Sequence, residues 1–564
     1  MLDYMQRVVE YNDKVQGRLL GFKAARYQRE AERGSFEPTF VNTTEFVDRD
    51  QPNNFQAERS LGLLQGGDEG GYPSVFLERN WTYSSALEMA TPLGTRLRLG
   101  LTGREIRNNI PRPAEFLDID EEFETSVGFS IEQPLLKGLG YATNLASLRL
   151  AARQSEIAFQ DFRRELMTVV AEAELAYWNL YYAQQEYALS QDSVAVAQTL
   201  LDDSKTSFEA GRGSQLDVLE AEAGLALRKS REREAMLRRI EASNVLASFF
   251  GETPRDGGVN YMAMNGPVSE PVDVLYETGV QAALSMNPEL LKVRLQKEQE
   301  LIRMGFARNE RLPELNLSAS YGATGLGFDW RTSFDDVQNT SFPTWNLGVV
   351  FRVPVGGDVR GRNQLRAAKL RLMQAERIEA NVVNQIRVGC DTAEQRVKSN
   401  FTTARSMESV VDFRSNLLDT RMQARDVGRM DSRSVLEAEQ ELFAARLEQL
   451  ESENQYQRGL LELQLIAGIL LQLRELEIGF EELERKTEEW IEDETKDAPG
   501  LVYSMPQFDR LPAGDPVPFI GDEVKAPWFG GFDRMRRLSM SDLVRSYERD
   551  IRTSRRPPFR PRGR

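Results

Sequence analysis

Two stretches of this chain, Tyr141–Phe208 and Arg362–Val427, run for more than sixty residues each with no proline and almost no glycine. Both carry a helical period. In the second, Leu365, Ala368, Leu372, Ala375, Glu379, Val382, Ile386, Gly389 and Ala393 alternate spacings of three and four. All but Glu379 are apolar or small, which is the pattern of a coiled-coil seam. The first is richer in aromatic residues, with AYWNLYYAQQ at 176–185. At 1.5 Å per residue such a run makes a rod of roughly 100 Å. A rod that long is no element of a globular core, so it must pack sideways against other rods.

What flanks the rods is written twice. GRGSQLDVLEAE at 211–222 is repeated, nearly unchanged, as GRMDSRSVLEAE at 428–439, 217 positions later. Gly251 follows the first copy by 40 residues and Gly468 follows the second by 40. Upstream, GFSIEQP (128–134) matches GVVFRVP (348–354), so Gly128 and Pro134 correspond to Gly348 and Pro354. Further upstream, Asn12 precedes Pro38 by 26 residues and Asn287 precedes Pro313 by 26. Four landmarks in one order mean two copies of one structural unit. Each dodecamer sits where a rod ends. Gly211 or Gly428 serves as the C-cap and Ser214 or Asp431 as the N-cap of a returning helix, whose acidic start complements the helix dipole. The dodecamer is therefore the tip of an antiparallel helical hairpin.

Ahead of each rod the period changes to two. LNLSASYG (315–322) sets Leu315, Leu317, Ala319 and Tyr321 against Asn316, Ser318, Ser320 and Gly322. WNLGVVFRV (345–353) and FETSVGFSI (123–131) alternate in the same way. Strands of about nine half-apolar residues suit a tilted crossing of a bilayer, apolar side to lipid and polar side to a lumen. Taken alone, such a strand also fits an ordinary sandwich. Its recurrence before each long helix favours the barrel.

Composition narrows the function. The chain of 564 residues has no histidine and one cysteine, Cys390, within a helical run, so an intrachain disulfide is impossible and a thiolate metal cluster is disfavoured. A net charge of −16 argues against nucleic acid. No apolar run reaches the length of a membrane-spanning helix; the longest, LLELQLIAGILLQL at 460–473, is interrupted by Glu462, Gln464 and Gln472. No catalytic constellation, cofactor site or metal site is expected, and GLGYATN at 138–144 lacks the lysine and spacing of a phosphate loop. A non-transport coiled-coil scaffold would explain the heptads and the acidity, but not the recurring strands.

These landmarks resemble the TolC-type outer membrane efflux family, over roughly residues 1–475. The resemblance implies a mainly α fold with β: a homotrimeric, 12-stranded outer-membrane β-barrel continuous with a long α-helical coiled-coil barrel in the periplasm, built from two tandem repeats per chain. Strand count agrees: about four strands per chain cannot close a barrel, whereas three chains supply twelve. The implied function is a passive exit duct for efflux or type I secretion in a Gram-negative-type outer membrane. Its implied partners are outer membrane lipid, a periplasmic adaptor (membrane fusion) protein and an inner-membrane RND or ABC transporter. In the family the duct is gated at the periplasmic tips by an acid in the first tip and polar or charged residues in the second. The matching positions are Asp217, Ser434 and Glu437, with Arg212, Arg425, Arg429 and Arg433 close by. Met430, Arg425 and Ser434 depart from the pattern, standing where an arginine, an aromatic and an acid are expected. Asp217 is expected to pair with Arg429 or Arg433, and three copies of Glu437 would favour cations in a narrow pore.

The expected organisation is a first repeat at 1–251, with a short helix, strands at about 39–133, a long helix at about 141–208, a tip at 209–216 and a returning helix to 251. A linker at 252–271 follows. The second repeat is 272–475, with a helix, strands at about 314–353, a long helix at about 362–427, a tip at 428–433 and a returning helix to about 473. An extension at 476–564 turns from acidic to proline- and glycine-rich to basic, and is expected to be largely disordered. A further hairpin reads at 79–103, with a Pro-Leu-Gly turn at 92–94; it either lengthens the extracellular side or replaces the weak strand near Phe40–Phe46. MLDYMQRVVEYNDKV is no secretory signal. The lead-in VDVLYETGVQAALSMNPEL ahead of Asn287 has no full counterpart ahead of Asn12, which gives the expectation that a native leader is missing.

Overall fold

Gly94 shows how the sheet is anchored to the helices. It adopts φ +99° in the turn after Thr91, where its N–H donates to the Thr91 carbonyl at 2.9 Å. A Cβ there would stand 2.4 Å from the Gly138 carbonyl oxygen, so only glycine fits. Beside it the Gly140 N–H donates to the Leu93 carbonyl at 3.0 Å. This turn, from the predicted Pro-Leu-Gly triplet, therefore docks on the segment that starts the first long helix.

The computed structural model describes residues 2–52, 75–109, 121–211, 213–251, 261–266, 276–426, 430 and 432–486. Six strands pair antiparallel in chain order: β1 (Thr39–Pro52), β2 (Val75–Ala90), β3 (Arg96–Asn108), β4 (Glu122–Pro134), β5 (Glu314–Gly327) and β6 (Pro343–Arg352). Both β1 and the 79–103 hairpin are present, so the hairpin is an addition. The expectation of about four strands per chain is corrected to six among the described residues, and twelve strands no longer follow from three chains.

Register sorts the side chains onto two faces, because directly opposed residues point the same way. Phe40, Leu87, Leu99, Phe129, Tyr321 and Trp345 form one row across all six strands. With Trp81, Tyr83, Leu101, Leu347, Val349 and Phe351 they make an apolar face that this chain leaves exposed. The opposite face is polar and internally paired, with Arg98 on Glu88 (3.4 Å), Arg104 on Glu124 (3.4 Å), Arg96 on Glu132 (3.7 Å) and Arg352 on Glu314 (2.6 Å). A sheet that exposes its apolar face and pairs charges on the other inverts the pattern of a water-soluble sheet.

The helices are α1 (Leu2–Tyr11), α2 (Asp13–Arg33), α3 (Tyr141–Asn144), α4 (Ala146–Glu209), α5 (Gln215–Ser248), α6 (Tyr276–Met286), α7 (Pro288–Asn309), α8 (Trp330–Gln338), α9 (Val359–Asp426), α10 (Ser432–Ala467) and α11 (Leu470–Leu473). At 64 and 68 residues, α4 and α9 are rods of about 100 Å. Each pairs with its returning helix, α4 with α5 and α9 with α10. The predicted seam of α9 is the side it buries: Leu365, Ala368, Ala375, Ile386 and Ala393 are enclosed. Glu379, the one acid in that seam, is held by Lys297 (2.5 Å) and Arg294 (3.2 Å) of α7. Their hydrogen bonds and charge lower its pKa, chiefly through Lys297.

Equivalent joints recur in the two halves. Asn12 caps α2 by accepting from the Lys14 N–H, and its amide donates to the Phe249 carbonyl at 3.3 Å. Asn287 caps α7 by accepting from the Glu289 N–H, and its amide donates to the Ile466 carbonyl at 2.9 Å. Phe249 and Ile466 each stand two residues before a left-handed glycine, Gly251 (φ +70°) or Gly468 (φ +73°).

The core lies midway along α4. Leu166, Val169, Val170 and Leu180 are enclosed by Met5 and Val8 of α1, Val15 and Phe22 of α2, Leu470 and Leu471 of α11, and Leu483. Phe480 stands edge-on to Phe22 (5.7 Å) and Phe159 (5.3 Å). Glu484 accepts from Arg29 at 2.9 Å, and Glu477 from Arg163 at 2.6 Å. At the start of the expected extension, 476–564, Leu483 is buried and Leu476, Ile478 and Phe480 pack against the core, because these apolar positions fill the gap between α2 and α4. The remainder, 487–564, lies outside the described residues, as does most of the expected linker.

Candidate functional site

Of the two tips at the far end of the rods, the first is built from local capping chemistry. In the first, Gly211 takes φ +70°, and the Gly213 N–H donates to the Ser207 carbonyl at 3.1 Å. Ser214 and Asp217 form a reciprocal capping box: the Ser214 hydroxyl accepts from the Asp217 N–H (3.2 Å), and the Asp217 carboxylate accepts from the Ser214 N–H (3.0 Å). Arg212, Gly428, Arg429 and Asp431 lie outside the described residues.

Of the two partners expected for Asp217, Arg429 lies outside the described residues and Arg433 is engaged elsewhere. Asp217 caps α5, while the Arg433 guanidinium meets Glu437 at 3.1 Å, one turn along α10, and Glu220 at 4.0 Å, on the other hairpin. The reason is local: a capping box needs an acid three residues after the cap, and Asp217 stands there. Arg425 crosses between hairpins to Asp203 at 3.4 Å, and the Arg421 guanidinium donates to the Ser434 carbonyl at 3.0 Å. Arg425, Arg433, Ser434 and Glu437 are thus brought together at one end of the bundle; Asp217 is there but engaged.

Sequence reasoning missed the strongest contact in this region. The Arg228 guanidinium of α5 reaches the Glu439 carboxylate of α10, Nε to Oε2 at 2.7 Å, where the two side chains are only 4% and 7% exposed. Glu439 also accepts from the Ser193 hydroxyl of α4. Arg228 further donates to the carbonyls of Gly224 (3.2 Å) and Leu436 (3.1 Å). One buried cluster therefore ties α4, α5 and α10 together just above the tips. Its signal was readable: Arg228 falls in the buried register of Ala221, Leu225 and Ala235, a place for an apolar side chain. Glu439 closes the second dodecamer. Its counterpart Glu222 is half-exposed and meets Lys205 at 3.4 Å.

Among the described residues no group of three or more histidine, cysteine or acidic side chains could hold a metal ion, and no helix is long and apolar enough to cross a membrane. Cys390 is buried between α9 and its neighbours, and burial raises its pKa.

Known proteins share this architecture. The family model described as outer membrane efflux protein matches residues 98–252 and 279–469, one segment in each half. The alkaline protease secretion protein AprF of Pseudomonas aeruginosa is 22% identical over 355 residues, covering 62% of this chain and 71% of that protein. The outer membrane efflux protein BepC of Brucella suis is 23% identical over 332 residues, covering 58% and 69%. Among solved structures, VceC of Vibrio cholerae superimposes with a TM-score of 0.56 at 12% identity, over 83% of this chain and 95% of that one. The Campylobacter jejuni CmeC channel does so with 0.53 at 15%, over 88% and 89%. At such identities the likeness speaks for fold alone, and the family match carries the assignment. This chain is a member of the outer membrane efflux protein family.

Proposed function

We propose that the chain forms the outer-membrane exit duct of a tripartite efflux or type I secretion assembly, as a homotrimer with two tandem structural repeats per chain. One observation carries the reading: a sheet with one apolar and one internally paired polar face is joined directly to two helical rods of about 100 Å. The sheet has open edges at β1 and β6. Open edges are not tolerated in lipid, so several copies must close a barrel. The strand directions alternate, so β6 of one copy meets β1 of the next antiparallel. Three copies give eighteen strands, a barrel wide enough for an aqueous lumen. Beneath it the hairpins would form a tube through the periplasm, where an adaptor protein and an inner-membrane RND or ABC transporter deliver cargo.

The tips act as the gate. Arg425–Asp203 and Arg433–Glu220 hold the two hairpins of one chain together, and spreading the hairpins opens the tube. Asp217 supports this indirectly by fixing the start of α5. The test is single-channel conductance in planar bilayers. Arg425→Ala with Arg433→Ala should raise conductance severalfold over the parent chain. Asp217→Ala should raise it less. Unchanged conductance in the double variant would remove the tip contacts from the gate.

A further inference from the structure

The loop between β5 and β6 folds into the nine-residue helix α8, which lies back against β4 and β5. Register identifies the face it covers. Tyr83, Gly103, Thr125 and Gly325 stand side by side across four strands, on the same side as Trp81, Phe129 and Tyr321. Four contacts seat the helix there. The Trp330 ring occupies the space over Gly103, 2.8 Å from where a Cβ would be. That ring stands 4.9 Å from Phe123 and 6.3 Å from Tyr83, centroid to centroid. Ser333, wholly buried, donates its hydroxyl to the Gly325 carbonyl at 2.9 Å.

The helix is fixed at both ends. Asp329 accepts from the Thr332 N–H at 2.7 Å, and the Thr340 and Ser341 N–H groups return to the Val337 and Asp336 carbonyls, both at 3.0 Å. It also lies at a boundary. Toward the loops the same face turns charged, with Arg79 on Asp48 (3.4 Å) and Arg107 on Glu105 (2.7 Å); in the other direction it stays apolar. Helical spacing puts Trp330, Phe334 and Val337 on one strip and Arg331 and Asp335 on another. Phe328, Trp330, Phe334 and Phe342 remain 39–59% exposed.

We propose that α8 is an interfacial lipid-binding helix, resting on the outside of the barrel at its outer rim. Trp330 and Phe334 lie at the level where acyl chains begin, and Arg331 and Asp335 lie in the head-group layer. Aromatic side chains and amphipathic helices favour that layer because one side of it is apolar and the other wet. A neighbouring copy is disfavoured as the cover, because α8 sits over β4 and β5 whereas copies join at β1 and β6. The inference rests on the barrel reading and assigns one of its elements to the lipid.

Site-directed spin labelling tests it. The full chain, with Cys390 replaced by alanine, would carry one label at a time at Phe334→Cys, Leu99→Cys (apolar face) or Asn346→Cys (polar face). Each is reconstituted in vesicles of phosphatidylcholine and phosphatidylglycerol. Relaxation by oxygen is then compared with relaxation by a water-soluble nickel chelate. The Phe334 label is expected to favour oxygen severalfold more than the Asn346 label, and less than the Leu99 label. Should Leu99 favour oxygen while Phe334 matches Asn346, α8 is in water and the inference fails with the barrel intact. Should Leu99 itself favour the chelate, the barrel reading falls and takes this inference with it.

Discussion

Between Leu166 and Leu180, α4 is almost wholly enclosed by its own chain, whereas α9 leaves Leu370, Met373, Val388 and Phe413 58–66% exposed. Both are rods of similar length, followed by similar sequences. The difference is what wraps them. Around α4 stand α1, α2, α11 and residues 476–486; among the described residues α9 packs mainly on α10, with α6 and α7 on another side and Arg425 reaching Asp203 of α4 near the tips. The sheet repeats the asymmetry, with four strands before the first rod and two before the second. The first half thus holds the chain's own core. The second presents apolar flank that water disfavours and that neighbouring copies in the proposed trimer would cover.

The comparison breaks first where the halves are tied together. Arg228→Ala removes one partner of a buried pair and strands Glu439, an expected cost of about 3–5 kcal/mol in thermal or denaturant unfolding of the solubilised protein. Arg228→Met with Glu439→Leu should recover most of that. If the single variant proves neutral, the cluster is no tie between the halves. Next come the two rods themselves. Phe22→Ala, emptying the core around α4, should cost about 3–5 kcal/mol of chain stability. Phe413→Ser should change chain stability by less than about 0.5 kcal/mol, yet release monomers on size-exclusion chromatography in detergent. Equal effects of the two on folding and assembly would erase the distinction. Smallest, Asn12→Ala and Asn287→Ala should each cost about 1–2 kcal/mol, losing a cap and a cross-helix hydrogen bond. Costs that differ widely would mean that the two joints are alike in geometry only.

Periodicity made much of this legible. The seam from Leu365 to Ala393 and the alternation in 315–322 depend on neighbours three, four or two residues away, and both stand in the structure as read. Gly211, Gly251 and Gly468, picked out by spacing alone, are left-handed, a local backbone need. Three things escaped. Strand number did, because β1 has weak alternation and gains its place only by pairing with β2 along its whole length. The packing of Phe480 and Leu483 escaped because it depends on α2, more than four hundred residues away. In the candidate site, the tip arginines and acids were visible as types, but their partners were not. Asp217 goes to its own cap, and the Arg228–Glu439 cluster exists only where two hairpins some two hundred residues apart come side by side.

In the proposed assembly identical sheets, each unable to close alone, join into one barrel above a tube of long helices. Electron cryomicroscopy of the protein extracted from outer membranes into detergent addresses it most directly. The expected image has threefold symmetry, one barrel of eighteen strands, six per copy, and a helical tube continuous beneath it. A lone chain with its sheet edges unpaired, or a barrel that leaves β1 or β2 outside its wall, would contradict it.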